Sequence, residues 1–279
     1  MHSARGKNAP RSDSARMLGA PLLGGQRIDD LLEHYLRGVQ RSLETNLFGV
    51  YLRGSLAMGD VLESSDIDLF VATERPVSED ETHNLFTFHA ELAALAHPYA
   101  TRLETAYIDR AALKRYEPGQ RHLTLGQGEE LKWSLHDTNW ILERWTLRKH
   151  GVTLLGPDAK HLIAPVSAGD LRDAVRVRLG AWVEWANTPN DPDWRLPEHH
   201  KAYVVETMCR ALYTLKRGEM TTKPKAVWWA LTTLSEPWRS TVERSQVWRQ
   251  REWLEGLTEP EINEVRRFIL WVASESEYE

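Results

Sequence analysis

Apolar residues follow two different spacings in the first half of the chain. They recur every three or four residues over 28–46 and over 79–97, which predicts two amphipathic helices, the second ended by Pro98. Shorter apolar runs that end in turns are predicted as strands at 47–53, 66–72 and 102–108. The order helix, strand, strand, helix, strand indicates an α/β fold, a mixed sheet with helices.

The second half of the chain is dominated by helical spacing. Residues 129–150 are predicted as a helix that ends at Gly151, and a last short strand follows at 152–155. Ser167 and Asp170 have the spacing of a helix start, and residues 188–197 are rich in proline and aspartate and predict a loop. Further helices are predicted at 202–217, 224–234, 240–255 and 260–274. This part therefore reads as an all-α bundle.

The change of pattern suggests three segments. Residues 1–26 combine charge, Ser, Pro and Gly without core residues and are expected to be disordered. Residues 27–157 form the predicted α/β domain, and residues 158–279 form the predicted helical domain. Each is long enough to bury a core of its own.

Composition limits the possible partners. The 279 residues carry a net charge of −5 and show no basic run, so a nucleic-acid partner is not expected. No apolar run has the length needed to span a bilayer, so no membrane partner is expected either. The single cysteine, Cys209, is consistent with a reducing cytoplasm. We expect a cytoplasmic monomer or weak dimer.

The most specific chemical signal is a Gly-Ser pair followed by two aspartates. Gly54 allows the backbone to approach phosphates closely, and Ser55 adds a hydroxyl and an amide. On a strand, Asp66 and Asp68 point to the same face while their apolar neighbours pack on the core. Two adjacent carboxylates favour a cation between them, and Mg²⁺ shares such oxygens with substrate phosphates. The motif therefore predicts a site for a nucleoside triphosphate and magnesium.

A third carboxylate follows on the next predicted strand. Glu104 lies in the apolar run RLETAYI, where a charged residue is uncommon without a function. Beside the two aspartates, it could complete a two-metal site or deprotonate an attacking hydroxyl group. These residues together indicate nucleotidyl transfer.

The stretch RGSLAMGDVLESSDIDLFV resembles the motif of the polymerase-β-like nucleotidyltransferase superfamily. The segments HGVTLLGPD and YVVETMCRALYTLKRGEMTTKPKAVWWAL are similar to the streptomycin/spectinomycin adenylyltransferases of the ANT(3″)(9) type. The resemblance implies a nucleotidyltransferase domain that binds ATP with two Mg²⁺ ions, and a helical domain that closes over them. It implies that Asp66, Asp68 and Glu104 are the metal ligands, with Glu104 also the catalytic base. It implies that ATP is bound by Gly54, Ser55, Ser65, Arg210 and Lys223.

The acceptor side departs from the family pattern. The family's acids before the second-domain helix align with Leu196 and His200, and its aromatic residue aligns with Gly128. The residues that remain as substrate candidates are Trp133, Asp193, Glu198 and His200.

Together with these residues, the resemblance implies an ATP-dependent O-adenylyltransferase. The acceptor would be a small cationic aminoglycoside or aminocyclitol of the streptomycin or spectinomycin type, and pyrophosphate would be released. The departures leave open a nucleotidyltransferase that modifies another small molecule or a protein side chain. An RNA-terminal transferase would need a basic groove that this composition lacks, and intact carboxylates argue against a regulator that only binds nucleotide.

Overall fold

The computed structural model describes residues 28–60, 66–250 and 256–276. The fold consists of two compact units, the first ending at Pro165 and the second beginning at Val166. The predicted disordered segment 1–26 and the predicted phosphate contact Ser65 lie outside the described residues. None of the described helices is long and apolar enough to cross a membrane.

The first unit is built on a mixed six-stranded sheet with the strand order β5-β4-β3-β2-β1-β6. Strands β2 and β3 are parallel, and all other neighbours are antiparallel. The strands are β1 Leu47–Arg53, β2 Ile67–Thr73, β3 Leu103–Asp109, β4 Arg121–Leu125, β5 Lys132–Leu135 and β6 Val152–Leu155. The α/β prediction for this part is confirmed.

Within residues 28–60 and 66–165, six helices accompany the sheet. They are α1 Ile28–Leu43, α2 Gly54–Ala57, α3 Glu79–Ala93, α4 Arg110–Lys114, α5 Asn139–His150 and α6 Ala159–Leu162. Helix α3 begins with a capping box in which Ser78 and Glu81 bond each other's backbone N–H groups. The helix ends at Ala93 and is therefore four residues shorter than the predicted 79–97.

The two faces of the sheet bury separate clusters. Helices α1 and α3 cover one face, where Val71, Tyr107 and Leu123 are buried. The opposite face buries Phe70 and Ala106, with Leu147 of α5 packed against them. Since side chains alternate along a strand, Asp68 and Glu104 belong to the second face, which we call the carboxylate face.

The second unit is helical, as predicted. Its α-helices are α7 Ala168–Ala186, α8 Glu198–Arg217, α9 Lys223–Thr233, α10 Trp238–Gln250 and α11 Glu259–Ser274. Ser167 and Asp170 form the expected capping box at the start of α7, and Gly218 ends α8 in the left-handed conformation. The predicted end of the helix 240–255 lies outside the described residues.

Four further features differ in detail from the sequence predictions. Residues 129–150 are not one helix, because Lys132–Leu135 forms strand β5 and the helix begins only at Asn139. Strand β4 was not predicted. Helix α8 begins at Glu198, four residues before the predicted start at 202. The predicted loop 188–197 contains a 3-10 turn, Pro192–Arg195.

Candidate active site

One row of side chains crosses three strands at the start of β2. Asp68 is the register partner of Glu104 on the parallel strand β3 and of Arg53 on the antiparallel strand β1. Register partners on neighbouring strands point to the same face. The fold therefore brings together two of the three predicted carboxylates and adds an arginine between them and the edge of the sheet.

Gly54 permits this arrangement because it has no side chain. Its φ angle is 71°, which is a left-handed conformation that glycine adopts at little cost. A Cβ atom at this position would lie 1.9 Å from Oδ2 of Asp68. The absence of a side chain at Gly54 thus leaves space for the Asp68 carboxylate, in addition to the predicted close approach of the backbone to phosphates. Ser55 follows it in the short helix α2, where its carbonyl oxygen accepts a hydrogen bond from the Asp60 N–H at 2.9 Å.

Glu104 is a carboxylic acid poised to exchange its proton near neutral pH. Burial raises its pKa to about 7, and the negative charges of Asp68, Asp66 and Glu143 act in the same direction, whereas Arg53 opposes them. A carboxylate with a pKa near the working pH can accept a proton efficiently. The environment therefore suits the predicted role of Glu104 as a base.

Arg53 and Glu143 were not recognised in the sequence. Nη1 of Arg53 lies 3.4 Å from Oδ1 of Asp68, and Nη2 lies 3.3 Å from Oε2 of Glu143 on α5. The guanidinium carbon is 5.3 Å from the ring centre of Phe70. Burial disfavours the charged form of Arg53, but Glu143, Asp68 and Glu104 outweigh it, so the pKa of Arg53 is raised. An arginine at the end of an apolar strand was the available signal, since a buried cation requires a partner.

Asp66 lies immediately before β2 and forms an ion pair with Arg102. Nε of Arg102 is 3.7 Å from Oδ1 of Asp66, and the Arg102 guanidinium carbon lies 4.8 Å from the ring centre of Tyr99. Asp66 also raises the pKa of Glu104 through its charge. All three predicted carboxylates therefore belong to one electrostatic cluster.

The chemistry of this cluster fits a hard divalent cation. Carboxylate oxygens are the ligands that Mg²⁺ prefers. Burial raises the pKa of Glu104, and the negative charges of Asp68, Asp66 and Glu143 raise it further, so a cation among these carboxylates would relieve their repulsion. Within the described part of the chain, no three histidine, cysteine or carboxylate side chains already form a group able to hold a metal ion. Asp66 and Asp68 instead face arginines.

Trp133 lies on the opposite face of the sheet from the carboxylates. It is the register partner of Leu123 on β4, and Leu123 belongs to the cluster under α1 and α3. Trp133 lines a surface pocket of about 320 Å³ with Ser78, Phe86 and their neighbours on and before α3. The fold therefore does not bring Trp133 together with Glu104, and its role in substrate binding stays a prediction without support from its position.

In the second unit, the two predicted basic residues lie on one side of α8. Arg210 follows Tyr203 by seven residues, which is two helical turns. The ammonium group of Lys223, at the start of α9, lies 3.9 Å from the ring centre of Tyr203. Tyr203 is 41% exposed, so this side of α8 presents an aromatic ring with two cations.

The predicted acceptor residues of the second unit cluster at the beginning of α8. Asp193 is exposed, Glu198 is buried in the first turn, and His200 is half-buried. The ring of His200 lies 6.4 Å from that of Tyr203. Burial lowers the pKa of His200 and so does Lys201, whereas Asp193 raises it.

Lys201 organises the segment before α8. It is fully buried, and its ammonium group donates hydrogen bonds to the carbonyl oxygens of Asp193 at 2.7 Å and Leu196 at 3.2 Å. Trp194 is also buried and stacks on Trp185 with ring centres 3.7 Å apart. Trp194 is thus a packing residue of this unit.

Comparisons with known proteins place both units in one family. Residues 161–275 match the model of the aminoglycoside adenylyltransferase C-terminal domain, and residues 35–118 match that of the nucleotidyltransferase domain. An aminoglycoside (3'') (9) adenylyltransferase of Shigella flexneri is 30% identical over 222 residues, covering 73% of this chain and 78% of its own. The Escherichia coli protein of the same name is 29% identical and covers 85% and 90%.

A solved structure resembles the fold of this chain. The spectinomycin adenyltransferase AAD(9) of Enterococcus faecialis, solved with ATP and spectinomycin, has a TM-score of 0.66 and 16% identity. The match covers 89% of this chain and 98% of the other. At this identity, the comparison shows the shared fold.

Proposed function

The chain belongs to the family of aminoglycoside (3'') (9) adenylyltransferases, and from this membership we propose that it transfers AMP from ATP to a hydroxyl group of a small cationic aminoglycoside or aminocyclitol. Pyrophosphate is the second product. The observation that carries the proposal is the row in which Glu104 lies beside Asp68 on the carboxylate face. The relatives favour this acceptor class over another small molecule or a protein side chain.

Glu104 acts as the general base in the proposed reaction. It accepts the proton of the acceptor hydroxyl, whose oxygen then forms a bond to the α-phosphorus of ATP. The bond from that phosphorus to the oxygen bridging the α- and β-phosphates breaks, and pyrophosphate leaves. Its pKa of about 7 in the metal-free protein would be lowered by bound magnesium, which would keep Glu104 ionised and able to accept a proton near neutral pH.

Asp66 and Asp68 are proposed to hold magnesium, with Glu104 as a further ligand and two ions in total. Bound magnesium would supply positive charge that offsets the charge of the triphosphate. Gly54 and Ser55 are proposed to lie against the phosphates, together with Ser65. Arg210 and Lys223 are proposed as ATP contacts, and their shared side of α8 supports a joint role. The cytoplasmic location and the monomeric or weakly dimeric state stay predictions.

The acceptor residues are proposed from the start of α8. The exposed Asp193 provides negative charge suited to a cationic acceptor. Glu198, buried in the first turn of α8, and the half-buried His200 are proposed to contribute from the same segment. Since the net charge of the chain is −5, a cationic acceptor is also favoured at longer range.

The proposal is tested by following labelled AMP. The purified protein is incubated with Mg²⁺ and ATP labelled at the α-phosphate, in separate reactions with streptomycin, with spectinomycin, and with neutral sugars that bear similar hydroxyl groups. Labelled streptomycin or spectinomycin is expected, and the Glu104→Gln variant serves as the inactive control. Label on the protein itself, with none on either drug, would contradict the proposed acceptor.

A further inference from the structure

Arg53 places a permanent positive charge against one of the two aspartates proposed to hold magnesium. Its guanidinium group lies 3.4 Å from Asp68 and 3.3 Å from Glu143, and its side chain is only 12% exposed. Phe70 contacts the group from another side. The cation is thus enclosed by two carboxylates and an aromatic ring.

A guanidinium group cannot lose its proton in a protein, so this charge is present at every working pH. A divalent ion bound to Asp68 would therefore share that carboxylate with Arg53 and be repelled by it. The repulsion is strong because the site is mostly shielded from water and salt. In the nucleotide-free chain, Arg53 and a metal ion would compete for Asp68.

Glu143 gives the guanidinium group a second partner. The two terminal nitrogens of Arg53 face different carboxylates, so Arg53 can stay paired with Glu143 when Asp68 takes another cation. Glu143 is itself held on α5 by a hydrogen bond of 2.8 Å from Nδ2 of Asn139. Without Glu143, releasing Asp68 would leave a buried cation unpaired, which is costly.

We propose that Arg53 is a positioning residue that neutralises the charge of Asp68 while no metal ion is bound. When the metal ion arrives with the nucleotide and binds Asp68, Arg53 keeps only its ion pair with Glu143. A bare divalent ion then binds weakly, and the triphosphate supplies the extra negative charge that lets the ion displace Arg53. The inference rests on the proposed function, because it requires a divalent ion at Asp66 and Asp68.

The test measures Mn²⁺ binding to the nucleotide-free chain, from the electron paramagnetic resonance signal of free Mn²⁺. Arg53→Met is expected to bind Mn²⁺ at least about fivefold more tightly than wild type, because the repelling charge is gone. Arg53→Lys keeps the charge and should stay near wild type. An Arg53→Met variant with unchanged or weaker Mn²⁺ binding would overturn the proposal.

Glu143 provides an independent arm. Glu143→Gln is expected to weaken Mn²⁺ binding. Of the two ion pairs of Arg53, only the one with Asp68 then remains, so Mn²⁺ must displace Arg53 from it. In the Arg53→Met background, the same change should have a clearly smaller effect. An equal effect in both backgrounds would mean that Glu143 acts directly on the ion, and the proposed change in the ion pairs of Arg53 would be refuted. If Arg53→Met does not fold, Arg53→Gln, which also lacks the positive charge, takes its place in both arms.

The matched control is Arg75→Met. Arg75 belongs to the same unit but forms an exposed ion pair with Glu81, so its loss should leave Mn²⁺ binding unchanged. Thermal unfolding verifies that each variant is folded. Wild type is also titrated with Mn²⁺ and a non-hydrolysable ATP analogue. Absence of binding there, together with absent AMP transfer, would refute the proposed function itself, whereas normal transfer with an unresponsive Arg53→Met would refute only the inference.

Discussion

At the scale of single residues, Glu104 is the group on which the proposed chemistry depends. In the metal-free protein, burial and the carboxylate neighbours raise its pKa to about 7, so below this pH the free enzyme carries a proton on Glu104 that must leave before the residue can act as a base. Bound magnesium would lower this pKa, so rates are compared at one subsaturating Mg²⁺ concentration. We expect kcat/KM for AMP transfer to rise as the pH increases through about 7. Glu104→Gln should lower kcat by roughly 10²–10⁴-fold and remove this rise. Initial rates between pH 5.5 and 8.5 measure both effects, and unchanged turnover in the variant would disprove the assignment.

Gly54 allows a test of why the Gly-Ser pair needs glycine. Gly54→Ala would place Cβ 1.9 Å from Asp68 Oδ2 at a φ of 71°, so Asp68 or the backbone must move. Gly59→Ala is the matched control, because its φ is 75° and nothing described lies within 4 Å of the added atom. Both variants should lose about 1 kcal/mol of unfolding free energy from the φ angle.

Only Gly54→Ala is expected to lose AMP transfer, by roughly tenfold or more, because catalysis tolerates little displacement of a positioned group. Urea unfolding and initial rates separate the two effects. Equal activity losses in both variants would show that backbone strain, rather than contact with Asp68, explains the glycine.

The sequence located Asp66, Asp68 and Glu104 but did not reveal Arg53 and Glu143. Asp68 and Glu104 lie in short apolar strands and Asp66 immediately precedes one, so their charges are unusual there and can be noticed locally. The role of Arg53 depends on α5, a helix distant in sequence, so no local pattern connects Arg53 to Glu143. The face of Trp133 could not be predicted for a related reason, since it is set by the pairing of β4 with β5.

At the scale of elements, strand β1 and the capping box of α7 follow closely from local patterns. Buried apolar runs and side-chain caps act within a few residues. Strand β5 was missed because Leu131, Trp133 and Leu135 alternate over too few residues to distinguish a strand from the helix that follows. Its pairing with β4 supplies the missing hydrogen bonds, and that is a long-range effect.

The start of α8 depends on a buried lysine. Lys201→Met would leave the carbonyl oxygens of Asp193 and Leu196 without the ammonium donor that now bonds them. We expect a loss of about 2 kcal/mol in the free energy of unfolding, because hydrogen bonds from a charged donor are lost. Affinity for the acceptor should fall as well, because Asp193 belongs to the same segment.

Lys225→Met serves as the control, since Lys225 is exposed on α9. Urea unfolding of both variants checks the stability claim, and drug titration checks the affinity. Equal stability of the two variants would mean that water replaces the lysine donor without cost.

At the scale of the whole molecule, three buried histidines make stability depend on pH. His89, His122 and His136 are at most 6% exposed. Burial lowers the pKa of His89 and of His122 to about 4 and that of His136 to about 2, and Arg144 acts in the same direction on the last two. The rings of His122 and His136 are 3.9 Å apart, and His136 stacks on Trp140 at 3.6 Å. All three histidines are therefore neutral in the folded state near pH 7.

The direction of the pH effect follows from linkage. The unfolded chain binds protons on these histidines at an ordinary pKa near 6.5, whereas the folded chain resists them, so the unfolded state is favoured as the pH falls. The stability is fully present above about pH 6.5. It should decline by on the order of 1 kcal/mol per pH unit for each histidine as the pH falls toward 4.

His136→Phe keeps an aromatic ring against Trp140 and should make this decline shallower, whereas His161→Asn, at an exposed position, should not. Urea unfolding at pH 7.5, 6 and 5 measures the slopes, and a wild-type slope equal to that of His136→Phe would show that His136 does not contribute to the acid sensitivity.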